Sequence, residues 1–361
     1  MYWLAWAVLF PAGGRRLLEA MERFGSPRRA WEAPAAAFDF WTPGPRGDPR
    51  EILKHRATVD PVREAGRLAE LEVKMVTWDD ADYPGRLREI YDPPAVFFYR
   101  GTLGQDDDVT VAVVGSRRCT HYGRMVAEEL GAGLARAGLT VVSGMARGID
   151  TAAHRGALEA GGRTVAVLGT GLDICYPREN SKLMREIAAS GAVVSEFPLG
   201  SPPEPWHFPV RNRIISGLSR GVVVVEAAAR SGALITAELA LEQGRDVMAV
   251  PGNVTSLSSQ GANRLIKQGA RLAEGVEDVL DELGLASLFA GDAGSKAVPS
   301  LTPLEQALLR RLKEEGGPVG EDTLLGECGA ATPEAKAALT FLELKGLVRR
   351  LPGRLYCSLS R

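Results

Sequence analysis

The chain has 361 residues, of which 45% are hydrophobic and 24% charged, and its net charge is −2. That length suits two or three domains at roughly 100–200 residues each, and the near-neutral charge excludes a global basic field, so any site for a polyanion must be a local patch. Four scattered cysteines (Cys119, Cys175, Cys328 and Cys357) have no Cys-x-x-Cys spacing; this argues against a disulfide framework or a zinc site and fits a reducing, cytoplasmic setting.

The apolar opening MYWLAWAVLF is about ten residues long, too short to cross a bilayer. No basic run precedes it, so it reads as a buried first helix rather than a signal segment, and no membrane association is expected. Trp3, Leu4, Ala7 and Val8 give one helical face, and Leu17, Leu18, Met21 and Phe24 give a second after the turn Pro11–Gly14. A helix–hairpin–helix of this kind can hold a DNA phosphate on its turn amides. A plain helical bundle has the same pattern and is the preferred reading for residues 1–75. The Pro/Gly-rich stretch at 42–50 reads as a linker. Short strands are expected at Val73–Thr77 and Val96–Tyr99.

From Val109 the pattern becomes strict strand–helix alternation. Strands are predicted at Val109–Val114, Leu139–Val142, Thr164–Leu168, Val193–Ser195, Val222–Glu226 and Val247–Val250. Helices are predicted at Tyr122–Ala137, Gly148–Ala160, Ser181–Ser190, after Pro209, and at Ala233–Gln243, Gly261–Gln268 and Val276–Leu283. The strands are apolar without alternation, as strands covered on both faces should be. The expected fold is α/β, a doubly wound, Rossmann-like parallel sheet over residues 76–285 with its core at 109–283. Residues 286–300 read as a second linker. Residues 301–361 begin with the capping box Thr302–Pro303–Leu304–Glu305 and a leucine-rich helix. A helix from Thr332 and a hairpin formed by Leu347–Arg350 and Leu355–Leu359 complete the pattern of a winged helix. Its candidate recognition helix carries Glu334, Lys336, Glu343 and Lys345, an even mix of signs that suits phosphate poorly.

Three loops at the carboxyl edge of the sheet repeat one chemical theme. Gly115–Ser116–Arg117–Arg118 follows the first strand, Ser143–Gly144–Met145–Ala146–Arg147–Gly148 follows the second, and WHFPVRNRIISG at 206–217 opens a later helix. In each, arginine sits at or just before a helix start, and in the first two small residues let an anion approach backbone amides. Ligands of open α/β sheets bind at this edge. Counted from a start near Val210, Arg211 shares a face with Ile214, Ile215 and Leu218, while Arg213 points the other way. Two cations in the first turn oppose the helix dipole and call for a carboxylate partner or a bound anion. Trp206, Phe208 and Tyr176 are candidate stacking platforms, a combination with arginine that suits single-stranded nucleic acid; packing is the competing role for these aromatics.

The signs of catalysis are thin. Asp150 and His154 lie four apart on one helix, Glu226 and Glu238 are possible acid–base groups, and Ser143 and Ser216 have no histidine placed to activate them. Metal-ligand spacing is missing, the fragment Gly169–Thr170–Gly171 has Ile174 where a dinucleotide fingerprint needs glycine, and no cofactor is expected. A nucleotide-binding hydrolase of the lysine-decarboxylase-like type is the alternative class, but its PGGxGT loop is replaced here by Arg230–Ser231–Gly232–Ala233–Leu234–Ile235–Thr236. A nicotinamide-dependent oxidoreductase is disfavoured by the broken fingerprint.

The runs VAVVGSRRCT, SGMARGIDTAAH, GTGLDICYPREN, SEFPLGSPPEPWHFPVRNRIISGLS, VVEAAARSGALITAELALEQGRDVMAVPG and GANRLIKQGA occur in order between Val109 and Leu283. Together they resemble the DNA-processing protein A (DprA/Smf) family. The resemblance implies a cytoplasmic, non-enzymatic homodimer that binds single-stranded DNA and loads the RecA recombinase onto it during natural transformation. It implies DNA contacts at Arg117 in the run Gly115–Ser116–Arg117, at Arg147 with Gly144 and Gly148, at Arg178 or Lys182, at Phe208, and at Arg211, Asn212 and Arg213. It places the dimer interface near Leu241, Asn263, Arg264 and Leu272. Two departures stand out: Glu204–Pro205 occupy a place where many members carry a basic residue, and Ala12 precedes Gly13–Gly14 where Gly-x-Gly is usual.

Overall fold

Short runs of branched residues in the middle of the chain are buried on both faces and build the body of a sheet. The structure, a computed structural model, describes residues 1–43, 48–104, 109–286, 301–315, 317–327, 332–344, 347–351 and 353–358. Residues 44–47 and 287–300 of the expected linkers, and Lys345 of the expected recognition helix, lie outside them. The chain folds as two units, Met1–Ser287 and Leu288–Arg361.

The first unit opens with helices α1 (Tyr2–Leu9), α2 (Gly14–Phe24), α3 (Pro27–Glu32) and α4 (Pro61–Glu70). Asp60 caps α4 by accepting from the Val62 and Arg63 amides, both at 3.0 Å, with Pro61 in the first helical position. There follow β1 (Lys74–Thr77), β2 (Val96–Gly101), β3 (Thr110–Val114), α5 (His121–Arg136), β4 (Thr140–Ser143), α6 (Ile149–Glu159), β5 (Thr164–Val167), α7 (Ser181–Ser190) and β6 (Ala192–Ser195). The unit ends with α8 (His207–Leu218), β7 (Gly221–Val224), α9 (Gly232–Glu242), β8 (Asp246–Ala249), α10 (Gln260–Lys267), β9 (Arg271–Leu272) and α11 (Val276–Glu282).

The nine strands lie in the order β1-β2-β6-β5-β4-β3-β7-β8-β9. β3 to β9 are parallel, whereas β1 and β2 add an antiparallel edge against β6. The chain runs outward from β3 through β4, β5 and β6, then crosses back to β7, so the winding reverses beside β3. That reversal leaves a crevice at the carboxyl ends of the strands, the usual ligand position in such sheets.

The N-terminal helices, expected as a domain of their own, share one apolar core with the sheet. Trp6, Phe38 and Trp41 are buried in the same cluster as Phe98 of β2, Leu168 after β5 and Ile187 of α7. Trp6 packs edge-on to Trp31 at 5.1 Å and to Trp41 at 6.3 Å; truncating a buried aromatic of this kind costs roughly 3–5 kcal/mol. Helix α8 begins at His207, one turn before the expected start. Pro209 falls within the first turn, where the amide it lacks has no intrahelical partner to lose. Among the described residues no helix is long and apolar enough to cross a membrane.

The second unit contains α12 (Pro303–Glu315), β10 (Val319–Gly320), α13 (Glu321–Glu327), α14 (Thr332–Leu344), β11 (Val348–Leu351) and β12 (Leu355–Ser358), with strand order β10-β12-β11. The capping box forms in both directions: the Thr302 amide donates to Glu305 at 2.7 Å, and the Glu305 amide donates to the Thr302 hydroxyl at 3.2 Å. Helices followed by a small antiparallel sheet make this a winged helix.

Candidate nucleic-acid interface

The loop after β3 is held close to its neighbours by backbone contacts. The Ser116 amide donates to the Glu226 carbonyl at 2.7 Å, and the Ile149 amide donates to the Ser116 carbonyl at 3.2 Å. Gly148 sits at φ 80°, and a Cβ there would lie 2.2 Å from the Ser116 oxygen. Only glycine therefore lets the loops after β3 and β4 interlock. Gly115 has the same constraint, since a Cβ would stand 2.6 Å from an Ile149 side-chain carbon. Fixed this way, Arg117 projects outward and is exposed.

The loop after β4 is held from the other side by a residue that sequence reasoning quoted but did not single out. Asn180 is buried, and its amide nitrogen donates to the Met145 carbonyl at 2.9 Å and to the Thr151 hydroxyl at 2.8 Å. Met145 itself is fully buried with φ 55°, a left-handed conformation that costs a non-glycine residue about 1–2 kcal/mol. Asn180 stabilises the carbonyl side of that strained residue. Nothing in the local pattern around Asn180 marks this role, because its partners lie on the loop after β4 and on α6.

Inside the crevice, Arg211 is buried at 3% exposure. One of its terminal nitrogens donates to the Gly144 carbonyl at 3.0 Å and to the Val167 carbonyl. Gly144 has no side chain because a Cβ would lie 2.7 Å from both Arg211 and the Asp150 carboxylate. Burial pulls the Arg211 pKa down to about 10, with Asp150 opposing the shift. Burial pushes Asp150 up to about 6, with Arg211 opposing that shift in turn. The inward direction expected for Arg211 is present, but its guanidinium ties two strand-end segments, the loop after β4 and the end of β5, to α8 from beneath the surface. Asn212 is half-buried and accepts from the Arg211 Nε at 3.3 Å.

Arg213 does not project away from the fold. It is 6% exposed and grips Glu196 with two bonds of 2.6 and 2.7 Å, while its Nε donates to Asp92 at 3.0 Å. Burial opposes its charge, but Glu196 and Asp92 together raise its pKa above the usual arginine value. With α8 starting at His207, Arg213 lies in the second turn rather than the first, and its cation is met by carboxylate partners, so its guanidinium is not offered to a ligand. Asp92 also occupies the N-terminal hairpin: its other oxygen accepts from the Arg15 amide at 2.8 Å, and a Cβ on Gly14 would lie 2.2 Å from it. The turn amide that could have held a phosphate already holds a carboxylate.

The exposed wall of the crevice is formed by Arg117, Phe208 and Tyr176. The Arg117 guanidinium lies 5.0 Å from the Phe208 ring centre, and the Tyr176 ring lies 5.6 Å from Phe208 at a tilt of 41°. Gly169 makes room for Phe208, since a Cβ there would meet the ring at 3.1 Å. Trp206 is 38% exposed, with its ring edge-on to Phe197 and His207. His207 is buried, stacked on Phe197 at 3.9 Å and bonded through Nδ1 to the Gly169 carbonyl at 2.9 Å. Arg147 pairs with Glu179 across the mouth, Arg178 is exposed, and Lys182 is exposed with Glu186 at 3.4 Å.

Of the possible acid–base groups, Glu238 is exposed on α9, away from the contacts that hold the others. Glu226 accepts from the Thr120 amide at 2.8 Å and hydroxyl at 2.6 Å, bracing the start of α5. His154 is fully buried with Nδ1 on the Thr164 hydroxyl at 2.6 Å, whereas Asp150 faces the Ala146 amide at 3.3 Å. Ser143 donates to the Val113 carbonyl at 2.6 Å, and Ser216 bonds back to its own helix. Among the described residues no group of His, Cys, Asp and Glu is placed to hold a metal ion.

A family model for DNA recombination-mediator protein A matches residues 74–284, and a DprA winged helix domain model matches residues 293–354. Protein Smf of Synechocystis sp. is 35% identical over 392 residues, 98% of each chain. The chain belongs to the DNA recombination-mediator protein A (DprA/Smf) family. DNA processing protein DprA of Streptococcus pneumoniae is 50% identical over 203 residues, 56% of this chain and 72% of that one. The X-ray structure of the pneumococcal DprA superposes with a TM-score of 0.67 at 38% identity, covering 78% of this chain and 98% of that one. A DNA processing protein A structure from Helicobacter pylori, reported for its unique single-stranded DNA binding mode, gives a TM-score of 0.53 at 29% identity over 58% of this chain and 95% of that one.

At the far end of the sheet from β1, Leu241 is 60% exposed, Leu272 is 41% exposed, and Arg264 is exposed. Asn263 brackets Gly252 instead, accepting from its amide at 3.1 Å and donating to its carbonyl at 2.9 Å.

Proposed function

We propose that this DprA/Smf protein is a non-enzymatic binder of single-stranded DNA that seats the strand on the wall formed by Arg117, Phe208 and Tyr176. The observation that carries the reading is that triad: an exposed arginine over one face of a half-buried phenylalanine, with an exposed second aromatic ring beside it. Bases without a complementary strand can stack on such rings, while guanidinium groups at the mouth meet the phosphates. The binding described for the Helicobacter pylori relative favours the same ligand. Gly115, Ser116, Gly144 and Gly148 shape the backbone floor, Arg147, Arg178 and Lys182 extend the cationic mouth, and Arg211 and Asn212 support it from below. Family membership favours a cytoplasmic mediator that hands the strand to the RecA recombinase in natural transformation. It also favours a homodimer in which Leu241, Arg264 and Leu272 face a second copy and Asn263 shapes that surface.

The test is fluorescence anisotropy with labelled single- and double-stranded oligonucleotides across a salt series. Single strands bind more tightly on this reading, and affinity falls with salt, with a log–log slope of about 0.7 for each phosphate contact that no protein carboxylate contests. Equal affinity for both strand types would refute it, as would tight binding of a mononucleotide with turnover.

A further inference from the structure

Arg147 and Glu179 come from different loops, 32 residues apart in sequence, and meet at the mouth of the crevice with side chains 64% and 52% exposed. Their meeting is imposed by the fold. Asn180, the residue after Glu179, is locked by its amide to Met145 and Thr151 on the Arg147 side, and Tyr176 on the same loop lies against Phe208. Glu179 therefore places a carboxylate on Arg147, next in the chain to the exposed Arg178, at a mouth where a polyanion would least tolerate one. An exposed ion pair is weakly held and readily exchanged, whereas a guanidinium bonds a phosphate oxygen in the same geometry as a carboxylate, often through two hydrogen bonds.

We propose that Glu179 occupies Arg147 in the free protein and surrenders it to a phosphate of the bound strand, so that Glu179 sets the affinity and salt dependence of the crevice. This rests on the single-stranded DNA reading above. The exchange has a specific ionic consequence. A phosphate that takes Arg147 releases its condensed counterion, but it leaves Glu179 repelling the strand, and added salt screens that repulsion too, so this contact adds less to the salt slope than an uncontested one. Removing the carboxylate removes that repulsion and makes the slope steeper, bringing this contact toward the full value of about 0.7.

The experiment compares wild type, Glu179→Gln, Arg147→Gln and the double variant by anisotropy with one labelled single-stranded oligonucleotide at several salt concentrations. Glu179→Gln is expected to bind roughly three- to tenfold more tightly at low salt, with the steeper slope and an unchanged melting temperature. In the Arg147→Gln background the same change should bring a smaller gain. Weaker or unchanged binding by Glu179→Gln would overturn the exchange while leaving the DNA reading standing. A gain of equal size in both backgrounds would also overturn it, because Glu179 would then act by bare repulsion. Failure of the wild type to bind the oligonucleotide would sink both readings.

Discussion

Replacing Arg213 by alanine separates a fold-supporting arginine from a DNA-contacting one. In the native unit its guanidinium makes two bonds to Glu196, one to Asp92 at 3.0 Å and one to the Val210 carbonyl at 3.1 Å. Glu196 is 2% exposed, so the variant leaves a carboxylate in the interior with no cation. Removing one member of a buried pair costs roughly 3–5 kcal/mol, mostly because of the charge left behind. At about 2–4 °C per kcal/mol for a unit of this size, the melting temperature should fall by roughly 6–20 °C. Pairing Arg213→Met with Glu196→Gln removes both buried charges and should recover much of the loss, since an uncharged pair of similar volume can replace a buried ion pair at little cost. The assay is thermal unfolding followed by dye fluorescence or circular dichroism, alongside single-stranded DNA affinity on the folded protein. An Arg213→Ala protein with unchanged melting temperature and lost DNA affinity would refute the reasoning and return Arg213 to the ligand surface.

His154 should make the fold sensitive to acid. Burial holds its folded-state pKa down at about 3, against about 6.5 in an unfolded chain. Stability from the neutral imidazole is fully present above pH 6.5, and it falls by about 1.4 kcal/mol per unit as pH drops toward 3, because only the unfolded state takes up the proton. Urea unfolding at pH 7 and 4.5 should therefore show a loss about 3 kcal/mol larger in wild type than in His154→Gln; equal losses would contradict the burial. Gly148→Ala should destabilise the crevice by more than about 2 kcal/mol, since φ 80° and the Ser116 oxygen both exclude a methyl group. A melting temperature within a degree of wild type would show that the two loops do not interlock as described.

The parallel sheet was legible because its strands are short unbroken runs such as Val222–Val225, bounded by glycine- and arginine-bearing loops. The convergence of Arg117, Arg147 and Phe208 on one edge followed from placing each run at a strand end. What remained hidden depended on distant partners. Helical periodicity correctly put Arg213 opposite Arg211, but it could not reveal that both faces of α8 are covered. Asp92, which helps cover the second face, lies 121 residues earlier in the chain. The same carboxylate settles the N-terminal hairpin, whose turn looks free in sequence and is filled in the fold. The start of α8 was misplaced because Pro209 reads as a boundary, although a first helical turn accommodates proline. The roles of Asn180 and Glu226 are equally non-local: each braces a segment that only the sheet brings near.

The most direct measurement is photochemical cross-linking of the full chain to a single-stranded oligonucleotide carrying photoreactive bases, followed by mass spectrometric mapping of the adducts. Bases seated on the wall beside Arg117 should leave adducts on Tyr176 or Phe208. Their yield should fall as salt is raised, in step with the anisotropy. Adducts confined to residues 301–361, with Tyr176 and Phe208 unmodified, would contradict the crevice as the seat of the DNA strand.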